Sequence, residues 1–163
     1  MIEIKLAAIE DLEIIHQLAS DIWWPTYKNV ISDEQIAFML NKMYSISALQ
    51  NQMHEENVFL LLYVNELAKG FASYSKTAID KTYKLQKLYL HPDQQGKGTG
   101  KLLIVEVEKQ VKTLGGDALI LNVNRGNKAK DFYKKVGYQI LQELDIPYFH
   151  FVLNDYVMGK KLI

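Results

Sequence analysis

The sequence predicts an α/β domain of the α+β type, one mixed sheet of six or seven strands flanked by about four helices. Three observations lead there. Between residues 58 and 91 three strand-like runs follow one another with short connections, the pattern of an antiparallel meander. Residues 83–123 then hold a strand, a helix and another strand, long enough for a crossover that makes those two strands parallel. Two more strand-like runs close the chain after a short helix. A length of 163 residues fits one domain, residues 1–163, with no internal repeat or linker.

In chain order, Ile2, Ile4 and Leu6 alternate with Glu3 and Lys5, the period of a strand. Glu10 and Asp11 suit a first helical turn, and Leu12, Ile15, Leu18 or Ala19, and Ile22 mark one helix face, which Trp23-Trp24-Pro25 is expected to interrupt. Ser32 and Gln35 form a capping box ahead of Ile36, Met39, Leu40 and Met43. Ser47 and Gln50 repeat the device, giving a helix pair over roughly 33–55. Val58 to Val64 is continuously apolar, as in a strand buried on both faces. Asn65 and Glu66 turn the chain and Leu67 to Ser75 returns, with Gly70 marking a bulge or a close backbone approach. Tyr83 to His91 is the third strand of the meander and Pro92 ends it. Leu103, Val107 and Val111 line a helix that stops at Gly115-Gly116. Ala118 to Val123 is the parallel partner, Asn127 caps a short helix over 128–135, and strands over 138–144 and 148–160 close the chain around Pro147.

Composition narrows the function. Hydrophobic residues make up 48% and charged residues 23%, enough for a substantial core. Lys plus Arg and Asp plus Glu are 19 each, so no overall basic surface favours nucleic acid. The absence of cysteine removes disulfides, thiolate metal sites and a cysteine acyl-enzyme. The four histidines, His16, His54, His91 and His150, have no ligand-like spacing, so no metal is expected. The longest apolar run, Val58–Val64, is far short of a membrane span of about 20 residues, and the start MIEIKLAAIEDLE lacks a signal-peptide pattern. A cytoplasmic protein that binds neither membrane nor nucleic acid is the expectation.

The chemistry concentrates at Gln95-Gly96-Lys97-Gly98-Thr99-Gly100-Lys101, between the third meander strand and the long helix. A helix start leaves backbone N–H groups unpaired and carries partial positive charge. Glycines let a ligand approach those donors, and Lys97 and Lys101 add formal charge. The segment is read as a cradle for a phosphate or diphosphate. It is not a P-loop, which needs glycine at 95 and a hydroxyl at 102 where the chain has Gln95 and Leu102. Nor is it a dinucleotide fingerprint: counting from Gly96 the third glycine falls on Lys101, and from Gly98 on Leu103.

A second constellation follows the parallel strand: Asn127, Ala129, Phe132, Tyr133, Gly137 and Tyr138. With Gln95-x-x-Gly98-x-Gly100 it resembles the GNAT acetyltransferases. Members share an R/Q-x-x-G-x-G/A loop after a central strand and often N-x-x-A-x-x-F-Y-x-x-x-G-F downstream. Here Lys130 stands at the strict alanine position, with Ala129 one place earlier, and Tyr138 replaces the last phenylalanine. The element order agrees over nearly the whole chain, and the N-terminal half and the ending DYVMGKKL are similar to the polyamine-acetylating bacterial branch.

The resemblance implies an enzyme moving an acetyl group from acetyl-CoA to a primary amine of a small amine, polyamine or protein. It implies that the backbone of Leu88, Tyr89 and Leu90 pairs with the pantetheine arm, that Gln95 to Lys101 hold the diphosphate, that Asn127 contacts the cofactor and that Tyr133 is the general acid. Without cysteine, direct transfer in a ternary complex is the simplest course. A GNAT-like acyl-CoA sensor without turnover is the alternative. Trp23, Trp24 and Tyr27 are either packing or the wall of a substrate cleft. His91, at the strand end next to the cradle, is either a base or a solvent-facing residue before Pro92; His54, Glu55, Glu56 and His150 are base candidates by residue type, with a water chain equally open and His150 also read as a satisfied strand residue. Acidic Asp33, Glu34, Glu55 and Glu56 either attract a cationic substrate or form a solvated face. Monomer and homodimer are both open, the aromatic closing strand being a candidate for extending a sheet across a dimer.

Overall fold

A computed structural model describes residues 1–163. Strands β1 (Ile2–Leu6), β2 (Val58–Val64), β3 (Leu67–Lys76), β4 (Thr82–Leu90), β5 (Ala118–Asn124), β6 (Gln139–Tyr148) and β7 (Phe151–Lys161) form one seven-stranded sheet of order β1-β2-β3-β4-β5-β7-β6. Every neighbouring pair is antiparallel except β4 and β5, which are parallel as the crossover requires. There are five α-helices: α1 (Leu12–Tyr27), α2 (Asp33–Tyr44), α3 (Ile46–His54), α4 (Thr99–Thr113) and α5 (Ala129–Lys135). The first three pack with Phe59, Leu61 and Phe71 on one face of the sheet. On the other face, Leu103, Ile104, Val107 and Val111 of α4 and Tyr133 of α5 meet Leu60, Leu62, Leu85, Leu119 and Leu121.

Six details differ from the sequence expectation. Helix α1 is not interrupted at Trp23-Trp24-Pro25 but runs on to Tyr27. Pro25 lies in the last turn, where it removes one backbone donor. Thr26 Oγ1 donates to Ile22 O at 2.7 Å, Lys28 N–H donates to Trp24 O at 3.0 Å, and burial of Trp23 and Tyr27 holds the turn. Ser45, not Ser47, caps α3, its hydroxyl accepting from Ala48 N–H at 3.2 Å. Asn127 caps one step outside α5, its Oδ1 accepting from Ala129 N–H at 2.9 Å. Finally, Pro147 lies inside β6 opposite Val152. The sheet tolerates it because β6 is an edge strand. For the same reason the closing strand β7, between β5 and β6, cannot extend a sheet into a second molecule. His150 lies in the β6–β7 turn and not in a strand, its Nε2 3.3 Å from Glu34 Oε1.

Two bulges shape the centre of the sheet. In β3, Leu62 pairs with Gly70 and Tyr63 with Ala68, leaving Lys69 extra. Gly70 is also a close approach: a Cβ there would lie 2.6 Å from Leu90 Cδ2 and 2.9 Å from Tyr89 O. In β4, Tyr74 pairs with Leu85 and Ser73 with Lys87, leaving Gln86 extra. Parallel pairing of β4 with β5 covers Thr82–Leu85 against Ala118–Leu121 and stops there, immediately before that bulge. A bulge bends its strand and increases the local twist. From Gln86 to Leu90 the strand therefore diverges from β5, and a gap opens in the middle of the sheet.

Candidate active site

The gap leads into a cavity of about 1170 Å³ lined from both sides of the divergence and from α1, α4 and α5. That volume suits a long ligand together with a second small molecule. At one end is the start of α4. Gly96 and Gly98 both hold φ +78°, a left-handed conformation that costs an ordinary residue about 1–2 kcal/mol. This shape aims successive amides outward. The N–H groups of Gly96, Lys97, Gly98, Thr99, Gly100 and Lys101 make no hydrogen bond within the chain. Thr99 is 1% exposed and turns its hydroxyl inward to Gln94 Oε1 at 3.3 Å, fastening the helix start from behind. Gly100 packs against the end of β4 and α5, where a Cβ would sit 3.2 Å from Leu90 Cδ1 and 3.3 Å from Phe132. Gln95, Gly96, Gly98, Gly100 and Lys101 line the cavity, whereas Lys97 and Thr99 do not. The donors and the lysine charge suit a diphosphate.

Leu88, Tyr89 and Leu90 line the diverging wall, and Tyr133 and Asn127 face them from the β5 side. Tyr133 makes no hydrogen bond through its hydroxyl. Burial pushes its phenol well above the ordinary value, with the nearby Tyr27 adding to it, so it stays protonated at neutral pH. A thiol released beside it would be raised by the same burial. Asn127 is held on both sides, its Oδ1 by Ala129 N–H and its Nδ2 donating to Tyr27 Oη at 3.3 Å. Tyr27 Oη in turn lies 2.8 Å from Tyr89 Oη. A chain of polar contacts thus ties α1, β4 and the start of α5 together across the cavity.

Trp23 and Tyr27 stand in the cavity wall, with ring centroids 4.5 Å apart, and Trp23 also packs on Tyr44 and Tyr89. Trp24 points elsewhere: it is 38% exposed and does not line the cavity. The acceptor-side residues named from sequence fare differently. His54, His91, His150, Glu55, Glu56, Asp33 and Glu34 all lie outside the cavity lining. His91 is engaged with Asp93, Nδ1 to Oδ1 3.1 Å.

Two further lining residues carry no signal in the sequence. Asp155 on β7 is 9% exposed, and its Oδ2 accepts from Asn122 Nδ2 at 3.4 Å. Lys87 on β4 is 7% exposed, has no hydrogen bond or ion pair, and sits 5.0 Å from the centre of the Tyr44 ring. Burial, with a smaller contribution from Lys84, pushes its ammonium down to about 8.

Comparison with known proteins agrees with this geometry. The family model for the acetyltransferase (GNAT) domain matches residues 27–145. The chain is 31% identical over 166 residues to the spermidine N(1)-acetyltransferase of Thermoplasma acidophilum, spanning 98% of this chain and 97% of that protein. It is 34% identical over 103 residues to the ribosomal protein bS18-alanine N-acetyltransferase of Haemophilus influenzae, spanning 63% of this chain and 67% of that one. Among solved structures, the PaiA N-acetyltransferase of Thermoplasma acidophilum in complex with coenzyme A superposes with a TM-score of 0.84 at 30% identity, covering 99% of each chain. No helix is long and apolar enough to cross a membrane. With that fold, that cavity and these relatives, the chain belongs to the GNAT family and is an N-acetyltransferase whose acetyl donor is acetyl-CoA.

Proposed function

We propose that this enzyme acetylates a primary amine by direct transfer within one ternary complex, and that the amine is a small polyamine rather than a protein terminus. The observation that carries the mechanism is the set of unpartnered amides of Gly96, Gly98, Gly100 and Lys101 at one end of a cavity that holds Tyr133 in its wall. In this reading, those amides and Lys101 hold the donor's diphosphate. The backbone of Leu88, Tyr89 and Leu90, left without a β5 partner, holds its pantetheine arm as an added strand would. Asn127 steadies the arm through its side chain. A strand N–H freed at the divergence stabilises the negative charge that builds on the thioester oxygen. Tyr133 gives its proton to the departing sulfur. Trp23 and Tyr27 wall the acceptor side. The preference for a polyamine rests on the full-length likeness to the spermidine enzyme, against a partial likeness to the ribosomal-protein enzyme.

An amine panel read by release of free CoA thiol tests both parts. Spermidine should be turned over faster than a peptide with a free alanine N-terminus, and initial-rate plots should intersect. Parallel plots, the mark of a covalent acetyl-enzyme, would refute direct transfer. Tyr133→Phe should lower kcat by about 10²–10⁴ with KM for acetyl-CoA unchanged. Unchanged turnover would remove Tyr133 from the chemistry.

A further inference from the structure

The proposed transfer requires a group that removes a proton from the incoming ammonium, and none of the histidines or glutamates considered from sequence lines the cavity. Asp155 does. It is the only carboxylate among the lining residues, where lysines are numerous. Its place is fixed by the sheet: on β7 it stands opposite Asn124 of β5 and Leu144 of β6. The guanidinium that could have neutralised it is directed elsewhere. Arg125 Nη1 donates to the backbone oxygens of Leu144 and Asp155 at 3.0 and 3.2 Å, while its charge is matched by Asp145 at 2.6 Å and Glu143 at 3.3 Å. The Asp155 carboxylate therefore has no ion pair, and its one side-chain contact is the Asn122 amide. A nine-tenths-buried carboxylate that faces a cavity and is held in no ion pair suits a cation brought by a ligand.

We infer that Asp155 is the base of this enzyme, receiving the proton of the substrate ammonium. The role rests on the transfer reading above. Asp155 takes one proton from the ammonium. The freed nitrogen pair forms the N–C bond to the acetyl carbon as the C–S bond breaks. Tyr133 gives its proton to the sulfur and recovers one from the nitrogen as the amide forms, and Asp155 passes its proton to solvent. One proton is released per turnover, and both side chains return to their starting states. Electrostatics are consistent with the assignment. Burial pushes the Asp155 carboxyl up, against the opposing effects of Asn122, Lys84 and Arg125, so that it is a better base than an exposed aspartate. Its charge also helps to hold the buried Tyr27 phenol above its ordinary value.

The test is the pH dependence of kcat/KM for spermidine in Asp155→Asn, with acetyl-CoA affinity by calorimetry and circular dichroism as checks on the fold. Relative to wild type, the variant should lose about 10²–10⁴ at pH 7. The loss should shrink steadily towards pH 9.5, as the amine, with a pKa of about 10, arrives already deprotonated. Asp155→Glu should recover part of the activity. A loss of equal size at every pH, or a loss confined to KM as expected of a mere anchor for a distal ammonium, overturns the inference. Asn122→Ala gives a second route if Asp155→Asn does not fold. Removing that donor raises the carboxyl further, so the acid limb of the kcat/KM profile should move to higher pH; an unmoved limb overturns the inference. A wild-type enzyme that releases no thiol with any amine would overturn the transfer reading and this base together, whereas an active wild type with a pH-independent defect overturns the base alone.

Discussion

Lys87 carries a cost that can be measured. Its ammonium is buried on the cavity wall with no carboxylate or carbonyl against it, only the Tyr44 ring 5.0 Å away. Burial, then Lys84, lowers its pKa from the ordinary 10.5 to about 8. At about 1.36 kcal/mol per pH unit, that fall corresponds to roughly 3 kcal/mol of folding stability lost while the group is charged. The sign follows from proton counts. Between pH 8 and 10.5 the unfolded chain binds this proton and the folded one does not, so stability rises with pH across that window; below about 8 the penalty is present in full. Lys87→Met keeps the apolar stem and removes the charge. It should stabilise the protein by about 1–3 kcal/mol at pH 7, and the gain should fall to about half by pH 9.5. Urea unfolding at a series of pH values reads this directly. The window should close there, because Tyr27, Tyr44, Tyr89 and Tyr133 have raised pKa values and protect the fold only while protonated. A variant no more stable than wild type at pH 7, or a gain that stays constant with pH, would refute the account.

Two backbone predictions concern the donor end of the site. Gly98→Ala has room for its methyl group but must hold φ +78°, so it should cost about 1–2 kcal/mol in thermal unfolding and weaken CoA binding measured by calorimetry. The reverse case is Gly70→Ala, where the backbone is permissive but the space is not. Its methyl group would meet Leu90 and the Tyr89 carbonyl, so about 1–3 kcal/mol of destabilisation should appear together with a raised KM for acetyl-CoA, because the displaced segment is the end of β4.

Much of this was written locally in the sequence. The meander, the crossover and the glycine-rich helix start depend on residues adjacent in the chain, and all appear where expected. The α1 extension was not legible because Pro25 argues for a stop, and the buried contacts of Trp23 and Tyr27 that override it come from α2 and β4. Pro147 inside a strand is not legible either, because edge position is a property of strand order, which the last two strands reverse. Asp155 was hidden for a related reason. Its character depends on standing opposite Asn124 and beside Asn122, residues more than thirty positions away. Nothing in DYVMGKKL distinguishes it from an exposed aspartate within a strand.

The β4 bulge connects these observations. A strand of strict period two would place Tyr83, Leu85 and Lys87 on one face. Tyr83 and Leu85 do belong to the core under α4, yet Lys87 sits over Tyr44 on the opposite face and Tyr89 packs there too. The extra residue, Gln86, shifts the phase by one. The shift is visible in the sequence as a three-residue step from Leu85 to Leu88 where an unbroken strand would step by two. That one insertion accounts for the end of β4–β5 pairing, for the polar and aromatic residues turned towards α1, and for Leu88 and Leu90 continuing the core on the far side. The gap in the sheet and the character of its walls thus have a common local cause, and restoring the alternation would remove both.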